Sequence, residues 1–489
     1  MNGKIALLLG QAEESYQQEF IRGVMKESFR HDYSVYVFSM YIKYQNNTER
    51  EIGDANIFKL FNPRQFDAVI IMSDTIQTPG VAEQIEERLQ AEENCPPVLC
   101  IDKESRYFPT LWTEGYESVY ALTSHMIEAH RMRDLAFLTG RKNHPHSVRR
   151  EQAFRDAMEA HGLTIRENRV FHGDFWYTSG NRCAEALLRD KGTLPEALLS
   201  ANDPMAIGAA VAFEKAGIRI PEDIAIVGYG TTKEGQDSPK TLTSCYIPAE
   251  DYGASAVRNI LQLLKKEELK PLHPHVRLFI GESCGCQNTI LPKLFRRETW
   301  ESPVSEDGFY SIHNTMEEDL LKSEDPEEFL ERVYEHLHHI RNFERFDLFL
   351  NEEWLDPGEK AFPKEGYSPN IIHAIHYYQE HPASGGLGLK DIFPVEEILP
   401  DPDPSRAKGY FFTPLFMEDV SFGYAMISFG CEARSYEEVY RLWVNTLSRG
   451  LEALHRKMMC QVLERKYATL SAQKYAAASQ QAGTGFPAV

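Results

Sequence analysis

The stretch from residue 198 to residue 229 constrains the fold of this chain more than any other part of it. It holds two short apolar runs, the first ending at Ala201 and the second covering Ile224–Val227, with a helical segment between them. Asn202 and Asp203 stand at the start of that segment, where their side-chain oxygens can cap the first free N–H groups of a helix. A short β-branched run that is apolar throughout is typical of a parallel strand covered on both faces. The pattern predicts a strand–helix–strand unit whose polar turn lies where open α/β sheets bind ligands.

The same alternation of apolar runs and helical stretches extends over the first 286 residues. The runs predicted as strands are Ile5–Leu9, Val35–Phe38, Asp67–Ser73, Val98–Ile101, Leu135–Leu138, Leu198–Ala201 and Ile224–Val227. Such alternation predicts an α/β fold with doubly wound parallel sheets and right-handed crossovers. Because single cores stop growing near about 250–300 residues, we expect two lobes with a ligand cleft between them.

Composition and charge narrow the functional class. The formal net charge of −21 argues against a broad nucleic-acid surface, because phosphate binding needs clustered Lys and Arg. No apolar segment reaches the roughly 20 residues of a membrane span, and Met1–Lys4 leads into the first strand without a signal-peptide pattern. The eight cysteines form no dense disulfide pattern. We therefore expect a cytoplasmic protein of two or three domains with reduced thiols.

Several short motifs follow one another in the order seen in one known family. They are Phe66–Ile71, Leu138–Gly140, Arg150–Phe154, Gly173–Phe175, Ser179–Gly180, Leu242–Ser244 and Glu282–Cys286. In these motifs residues 1–286 resemble the effector-binding domain of LacI/GalR-type regulators, which has the type I fold of periplasmic sugar-binding proteins. The resemblance implies a two-lobed sensor domain for a sugar-like small molecule. Two departures stand out: no helix-turn-helix headpiece precedes Lys4, and Gly230 stands where the family places an Asp that grips sugar hydroxyls.

The resemblance also implies candidate ligand-binding residues. Arg150 matches the ligand-gripping arginine, whose fork of donors can engage two oxygens at once, and the neighbouring Arg149 is the alternative contact. Phe175 matches the aromatic that stacks on the ligand, and Trp176 adjoins it. The other candidates, from matching positions or from the ends of first-lobe strands, are Tyr16, Ser73, Glu114, His146 and Asn202. Core packing, helix capping or a solvated loop is the alternative role for each of them.

After Cys286 the pattern changes. Residues 287–307 are polar and contain Pro and Ser, which predicts a linker. The elements predicted beyond it are a helix over Met316–Ile340, a strand over Phe346–Leu350, a turn-rich loop at Pro400–Pro404 and a hairpin of Tyr410–Phe416 with Phe422–Phe429. This order resembles a GAF-like α+β module over residues 308–435, which would serve either as a spacer or as a second ligand site.

A long signalling helix is predicted over residues 436–474. Apolar residues at Val444, Leu447, Leu451, Leu454 and Met458 follow the 3-4 spacing of a two-stranded coiled coil. Leu463, Tyr467 and Leu470 continue the seam in a different register. The alternative is a helix that packs on its own domain. Residues 475–489, rich in Ala, Ser, Gln and Gly, are predicted to be disordered.

Motifs for catalysis and metal binding are lacking. The sequence has no Walker loop, H-E-x-x-H, G-x-S-x-G or G-G-D-E-F motif. Cys284 and Cys286 lack a second cysteine pair at zinc-ligand spacing. We therefore expect no enzyme, no catalytic residue, no metal and no cofactor.

The sequence favours a carbohydrate-binding sensor in transcription regulation or signal transduction. Its expected partners are the sugar-like ligand, a second copy of the chain and a separate output protein, with no direct binding of nucleic acid or membrane. Related architectures continue into a diguanylate cyclase. The alternative is therefore the sensor portion of a LacI-family regulator or of such a cyclase, whose output domain is absent or lies on a partner.

Overall fold

A computed structural model describes residues 2–41, 48–113, 115–190, 194–267, 277–287, 306–355, 366–379, 385–399 and 405–483. These residues fall into two compact units. The first lies within 1–110, 253–270 and 303–489, and the second within 111–252 and 271–302. Residues 288–305 of the predicted linker, and the predicted loop Pro400–Pro404, lie outside the described residues.

Short strands and helices alternate along the described part of the first 286 residues. The strands of the described chain are β1 (Gly3–Gly10), β2 (Tyr33–Met40), β3 (Ala68–Ile71), β4 (Val98–Ile101), β5 (Thr110–Leu111), β6 (Leu135–Thr139), β7 (Val170–His172), β8 (Ala197–Ser200), β9 (Ala225–Val227), β10 (Ser244–Tyr246), β11 (Arg277–Phe279), β12 (Arg345–Asn351), β13 (Asn370–Tyr378), β14 (Gly386–Leu387), β15 (Ile392–Pro394), β16 (Gly409–Met417) and β17 (Val420–Ser428). The α-helices are α1 (Ser15–Arg30), α2 (Thr48–Ala55), α3 (Ile57–Leu60), α4 (Val81–Gln90), α5 (Gly115–Glu128), α6 (Pro145–Ala160), α7 (Tyr177–Arg189), α8 (Asp203–Lys215), α9 (Lys233–Gln236), α10 (Ala249–Leu264), α11 (Glu306–Leu321), α12 (Pro326–Glu335) and α13 (Glu438–Gly483). Each run predicted as a strand in this region forms a strand, and its apolar residues are buried.

The second unit contains the sheet that carries most of the candidate site. Its strands are parallel and follow the order β7-β6-β8-β9, while β10 and β11 form a separate antiparallel pair. Helices α7 and α8 pack closely: a Cβ at Gly180 would lie 2.0 Å from the carbonyl oxygen of Met205, and one at Gly208 would lie 2.1 Å from that of Tyr177. The predicted α/β fold with doubly wound parallel sheets is confirmed.

Within the described residues, the first unit is built on one mixed sheet of eleven strands. Its order is β14-β13-β12-β17-β16-β2-β1-β3-β4-β5, with β15 paired to β13. Strand β2 joins the two halves: Val37 lies opposite Leu7 of β1 on one side and opposite Phe411 of β16 on the other, in parallel register on both sides. The rings of Phe38 and Phe412 stack at 5.0 Å across this junction.

The grouping of the chain therefore differs from the division drawn from the sequence. Residues 308–435 were expected to form a separate GAF-like module, but their strands continue the sheet begun by β1–β4, because β16 pairs with β2. The predicted hairpin is present as β16 and β17. The resemblance to a GAF-like module stays a prediction.

The two predicted C-terminal helices also differ from expectation. The helix expected over Met316–Ile340 is interrupted after α11, and α12 begins at Pro326 with its first turn capped by Asp325, whose Oδ1 accepts from the N–H of Glu328 at 2.9 Å. Helix α13 continues to Gly483, so residues 475–483 are helical where disorder was predicted, since Ala and Gln favour the helix. Residues 484–489 lie outside the described chain.

The first half of the predicted coiled-coil seam is buried inside the first unit. Val444, Leu447 and Leu451 are fully buried, and α13 packs against α11. Gly450 permits this approach, because a Cβ there would lie 3.0 Å from side-chain atoms of Leu320 and Phe329. This half of the helix thus packs on its own domain, which was the alternative. Among the described helices, none is both long and apolar enough for a membrane crossing.

Candidate functional site

The four parallel strands of the second unit end at one edge, and the segments that follow them carry most of the candidate residues. Helix α6, which follows β6, carries His146 and Arg150. Phe175 and Trp176 follow β7, and Asn202 follows β8. Because the carboxyl ends of parallel strands meet at the same edge of a sheet, the structure brings these five residues to one side of the second unit.

Arg150 is the most constrained of these side chains. It is buried on α6 and its Nη1 donates to the carbonyl oxygen of Ala201 at 2.7 Å. Its guanidinium carbon lies 3.8 Å from the centre of the Tyr229 ring, a cation–π geometry. The Nε–H is buried without a hydrogen-bond partner among the described residues. A buried donor without a partner costs roughly 1–3 kcal/mol, so Arg150 retains a donor for a ligand oxygen.

Phe175 is held in an unusual backbone conformation. Its φ of +69° lies in the left-handed region, which bulky residues rarely adopt. Its carbonyl oxygen accepts from Nδ2 of Asn202 at 2.8 Å. The ring covers the backbone at Gly140, where a Cβ would lie 2.0 Å from the ring Cζ, and its edge meets the ring of His144 at 5.2 Å. This packing fixes the aromatic side chain at the strand ends.

Asn202 performs the predicted helix-capping role. Its Oδ1 accepts from the N–H of Met205 at 3.1 Å, while its amide group holds Phe175. The side chain therefore makes hydrogen bonds within the protein on both sides. Its contact with a ligand stays a prediction.

The remaining candidates of the second unit differ in exposure. His146 is half-buried and its ring stacks on that of His144 at 5.5 Å. Trp176 is exposed and its ring meets Tyr177 edge-on. Arg149, the alternative to Arg150, places its guanidinium 4.9 Å from the centre of the Trp112 ring. Glu114 lies outside the described residues.

Two candidates belong to the first unit. Tyr16 is in the first turn of α1, which follows β1, and Ser73 is buried directly after β3. Strands β1 and β3 are neighbours in parallel register, so both residues are placed at carboxyl ends of adjacent strands. The predicted cleft between two lobes stays a prediction.

Two residues beside Arg150 and Asn202 were not among the predicted ligand-binding residues: Asp203, and Tyr229, whose ring lies against the Arg150 guanidinium. Asp203 is fully buried: its Oδ1 accepts from the hydroxyl of Ser244 at 2.7 Å, and its Oδ2 accepts from the N–H of Thr232 at 2.6 Å. Burial raises its pKa to about 6, against the opposing effect of these hydrogen bonds. In the sequence, the only signs of a role for these residues were the position of Asp203 at a helix start and the position of Tyr229 after a strand.

The glycine that departs from the family pattern has a structural explanation. Gly230 has a φ of +127°, a conformation that favours glycine. A Cβ at this position would lie 4.0 Å from Oδ2 of Asp203. An aspartate here would be strained and would bring a second carboxyl group close to the buried one.

Comparison with known proteins defines the class of this domain. Residues 123–284 match the sequence model of a family described as periplasmic binding protein-like domain. The chain thus contains a type I periplasmic-binding-protein-like domain, with similarity to LacI-family regulators over 57% of its length. It is 26% identical over 285 residues to the HTH-type transcriptional repressor PurR of Pasteurella multocida, a match covering 80% of that protein.

Solved structures of LacI-type regulators are also similar. The transcription regulator CcpA of Lactococcus lactis is 22% identical, with a TM-score of 0.48, over 58% of this chain and 99% of that one. A sugar-binding transcriptional regulator of the LacI family from Escherichia coli, complexed with phosphate, is 19% identical, with a TM-score of 0.45, over 57% of this chain and 97% of that one.

Proposed function

We propose that this protein is a cytoplasmic, non-enzymatic regulator that binds a sugar-like small molecule and signals through a dimeric C-terminal helix. The observation that carries the proposal is the buried guanidinium of Arg150, which has an unpartnered Nε–H near the carboxyl edge of the sheet that also bears Phe175. The similarity to the repressor PurR supports a regulatory role. In this proposal the output domain lies on a separate partner protein.

The chemistry of this edge favours a ligand with both a flat apolar face and oxygen acceptors. A pyranose offers C–H groups to an aromatic ring such as Phe175, and its oxygens suit the donors of Arg150. The carboxylate of Asp203 already accepts hydrogen bonds from Ser244 and Thr232. Gly230 stands in place of an acidic acceptor, and the Nε–H of Arg150 is a free donor. Sugar acids and sugar phosphates therefore belong in the ligand panel beside neutral sugars.

A direct route from the predicted ligand region of the first unit to α13 supports the signalling role. The loop after β1 precedes Tyr16 and makes two contacts, one with the segment just before α13 and one with the first turn of that helix. The hydroxyl of Ser435 donates to the carbonyl oxygen of Ala12 at 2.8 Å, and Nε of Arg441 lies 3.1 Å from Oε1 of Glu13. A ligand that moves this loop would therefore act on the first turns of α13.

The second half of α13 supplies the proposed dimer contact. Leu463, Tyr467 and Leu470 are 58%, 75% and 65% exposed. Their spacing continues back to the exposed Cys460, which gives the alternating a and d positions of a two-stranded coiled coil. An exposed apolar stripe of this kind is typical of an interaction site, and a second copy of the same helix matches it.

Ligand binding is tested by a thermal-shift screen of hexoses, pentoses, sugar acids and sugar phosphates, followed by calorimetry. A ligand at about 100 times its Kd should stabilise the native state by about 2.7 kcal/mol. Arg150→Lys keeps the charge but removes the Nε–H, and Phe175→Ala removes the aromatic face. We expect each to weaken binding about tenfold or more, since a charged hydrogen bond contributes roughly 1.5–3 kcal/mol and burial of a phenylalanine side chain contributes a similar amount, roughly 1.5–3 kcal/mol.

Arg155→Lys is the matched control, because Arg155 lies on the same helix but pairs with Glu151 and Glu167. It should bind like the unaltered protein. If neither Arg150→Lys nor Phe175→Ala weakens binding tenfold, this edge is not the ligand site. If only compounds without a sugar ring bind, the proposal of a sugar-like ligand is wrong.

A further inference from the structure

Two histidines and two cysteines of the second unit come together although the sequence separates them widely. His125 lies in the last turn of α5 and His130 follows that helix, whereas Cys284 and Cys286 belong to the turn after β11. One nitrogen or sulfur atom from each of the four lies within 4.8 Å of the others. The two pairs are about 155 residues apart in the chain, so the tertiary fold alone creates this cluster.

The distances match the edges of a tetrahedral metal site. Zinc binds cysteine sulfur at about 2.3 Å and histidine nitrogen at about 2.0–2.1 Å, so the sulfur-to-nitrogen edge of a tetrahedral site is about 3.6 Å. Nε2 of His125 lies 3.7 Å from Sγ of Cys284 and 3.7 Å from Sγ of Cys286. Nε2 of His130 lies 3.3 Å from Sγ of Cys286. A metal ion would therefore fit with only small side-chain movements.

The surroundings suit a closed structural site. Cys284 is 1% exposed and the other three residues are partly buried. Gly285, between the cysteines, has a φ of +99° and its N–H donates to the carbonyl oxygen of Glu282 at 2.9 Å. This turn brings both thiols to one side in spite of the short C-x-C spacing.

We propose that His125, His130, Cys284 and Cys286 bind one structural Zn²⁺ ion. Two sulfur and two nitrogen ligands in a tetrahedral arrangement select zinc over magnesium, calcium or manganese. Four protein ligands leave no position for a substrate, so the ion acts as a clamp. It links the end of α5 to the turn after β11, directly before residues 288–305. The sequence offers no second cysteine pair at zinc-ligand spacing, so no metal was predicted; in the fold, the partners of the two cysteines are the histidines of an H-x4-H pair.

The proposal is tested on the full chain, purified without a histidine tag and under reducing conditions. Mass spectrometry of the metal content should give about one zinc per chain, as expected for a closed four-ligand site. Replacement of zinc by Co²⁺ should give the visible absorption of tetrahedral cobalt together with thiolate charge-transfer bands. Cys286→Ser and His130→Gln should each lower the retained zinc at least tenfold. The matched controls Cys431→Ser and His31→Gln alter an exposed thiol and an exposed imidazole elsewhere, and should keep it.

Several results would overturn the zinc site. One is a chain that holds less than about a tenth of an equivalent of zinc after reconstitution and gives no cobalt spectrum. Another is a Cys286→Ser or His130→Gln variant that retains as much metal as the controls. Titration of six reactive thiols instead of eight, in a separate preparation purified without reductant, unfolded and freed of metal, would instead indicate a disulfide between the two cysteines. Because a variant could lose zinc by misfolding, the unaltered chain is also treated with a chelator. It should lose thermal stability and regain it with added Zn²⁺.

Discussion

The buried carboxyl group of Asp203 should make the second unit less stable as the pH rises. Its pKa is about 6 in the folded protein, against 3.8 for an unperturbed aspartate. The folded state therefore keeps a proton that the unfolded chain releases between these values, so the free energy of unfolding falls as the pH rises through this window. A difference of about two units corresponds to about 3 kcal/mol in full. About 2 kcal/mol of it is lost between pH 4.5 and pH 7.5.

Asp203→Asn removes the ionisation while nearly preserving size and hydrogen bonds. The amide oxygen of asparagine can accept from the N–H of Thr232, and its NH₂ group can donate to the hydroxyl oxygen of Ser244, whose proton is free to rotate. We therefore expect the variant to lose about 2 kcal/mol less stability than the unaltered protein between pH 4.5 and pH 7.5.

The assay is urea unfolding at both pH values, followed by pulse hydrogen exchange of peptides from β8 and β9. These peptides report on the second unit by itself. Asp223→Asn is the control, because Asp223 is paired with Arg219 and its pKa is lowered to about 2, outside this pH range. If the unaltered chain and Asp203→Asn lose the same stability, Asp203 ionises normally. In that case the hydrogen bonds of Asp203 and its position at the helix start outweigh the effect of burial on its pKa, which contradicts the prediction.

Two further predictions concern assembly and nucleic acid. In a parallel, in-register dimer the two Cys460 side chains face each other, so mild oxidation should cross-link a Cys431→Ser variant but not a Cys460→Ser variant on a denaturing gel. Equal cross-linking through both exposed thiols would contradict the helical dimer. With a net charge of −21, the chain alone should give no saturable mobility shift with genomic DNA fragments at low salt. Saturable retention would show a DNA-binding surface and contradict this prediction.

Local sequence patterns predicted the elements that depend on neighbouring residues. The strand over Val98–Ile101 has the predicted bounds, because an apolar run of four residues is stable only when covered on both faces. Asn202 caps α8 as its position indicated, since a cap depends on backbone N–H groups only two or three residues away. Such contacts are encoded within a single turn of chain.

Spacing alone could not separate two modes of helix packing. The 3-4 repeat of Val444, Leu447 and Leu451 suits both a coiled coil and a helix buried on its own domain. The structure buries these three residues and leaves Leu463 and Leu470 exposed. The boundary between the buried and the exposed half of α13 depends on where α11 ends. The 3-4 repeat carries no information about that position.

By itself, the sequence determined the class of the fold, the position of the strands and helices in the first 286 residues, and the polar turns at the strand ends. Those features follow from hydrophobic periodicity and local capping. The tertiary structure decided three others: the pairing of β2 with β16, the contact of Arg150 with Tyr229, and the cluster of His125 and His130 with the two cysteines. Each of these joins residues tens to hundreds of positions apart. Such contacts depend on chain topology, and a single sequence carries no local pattern that records them.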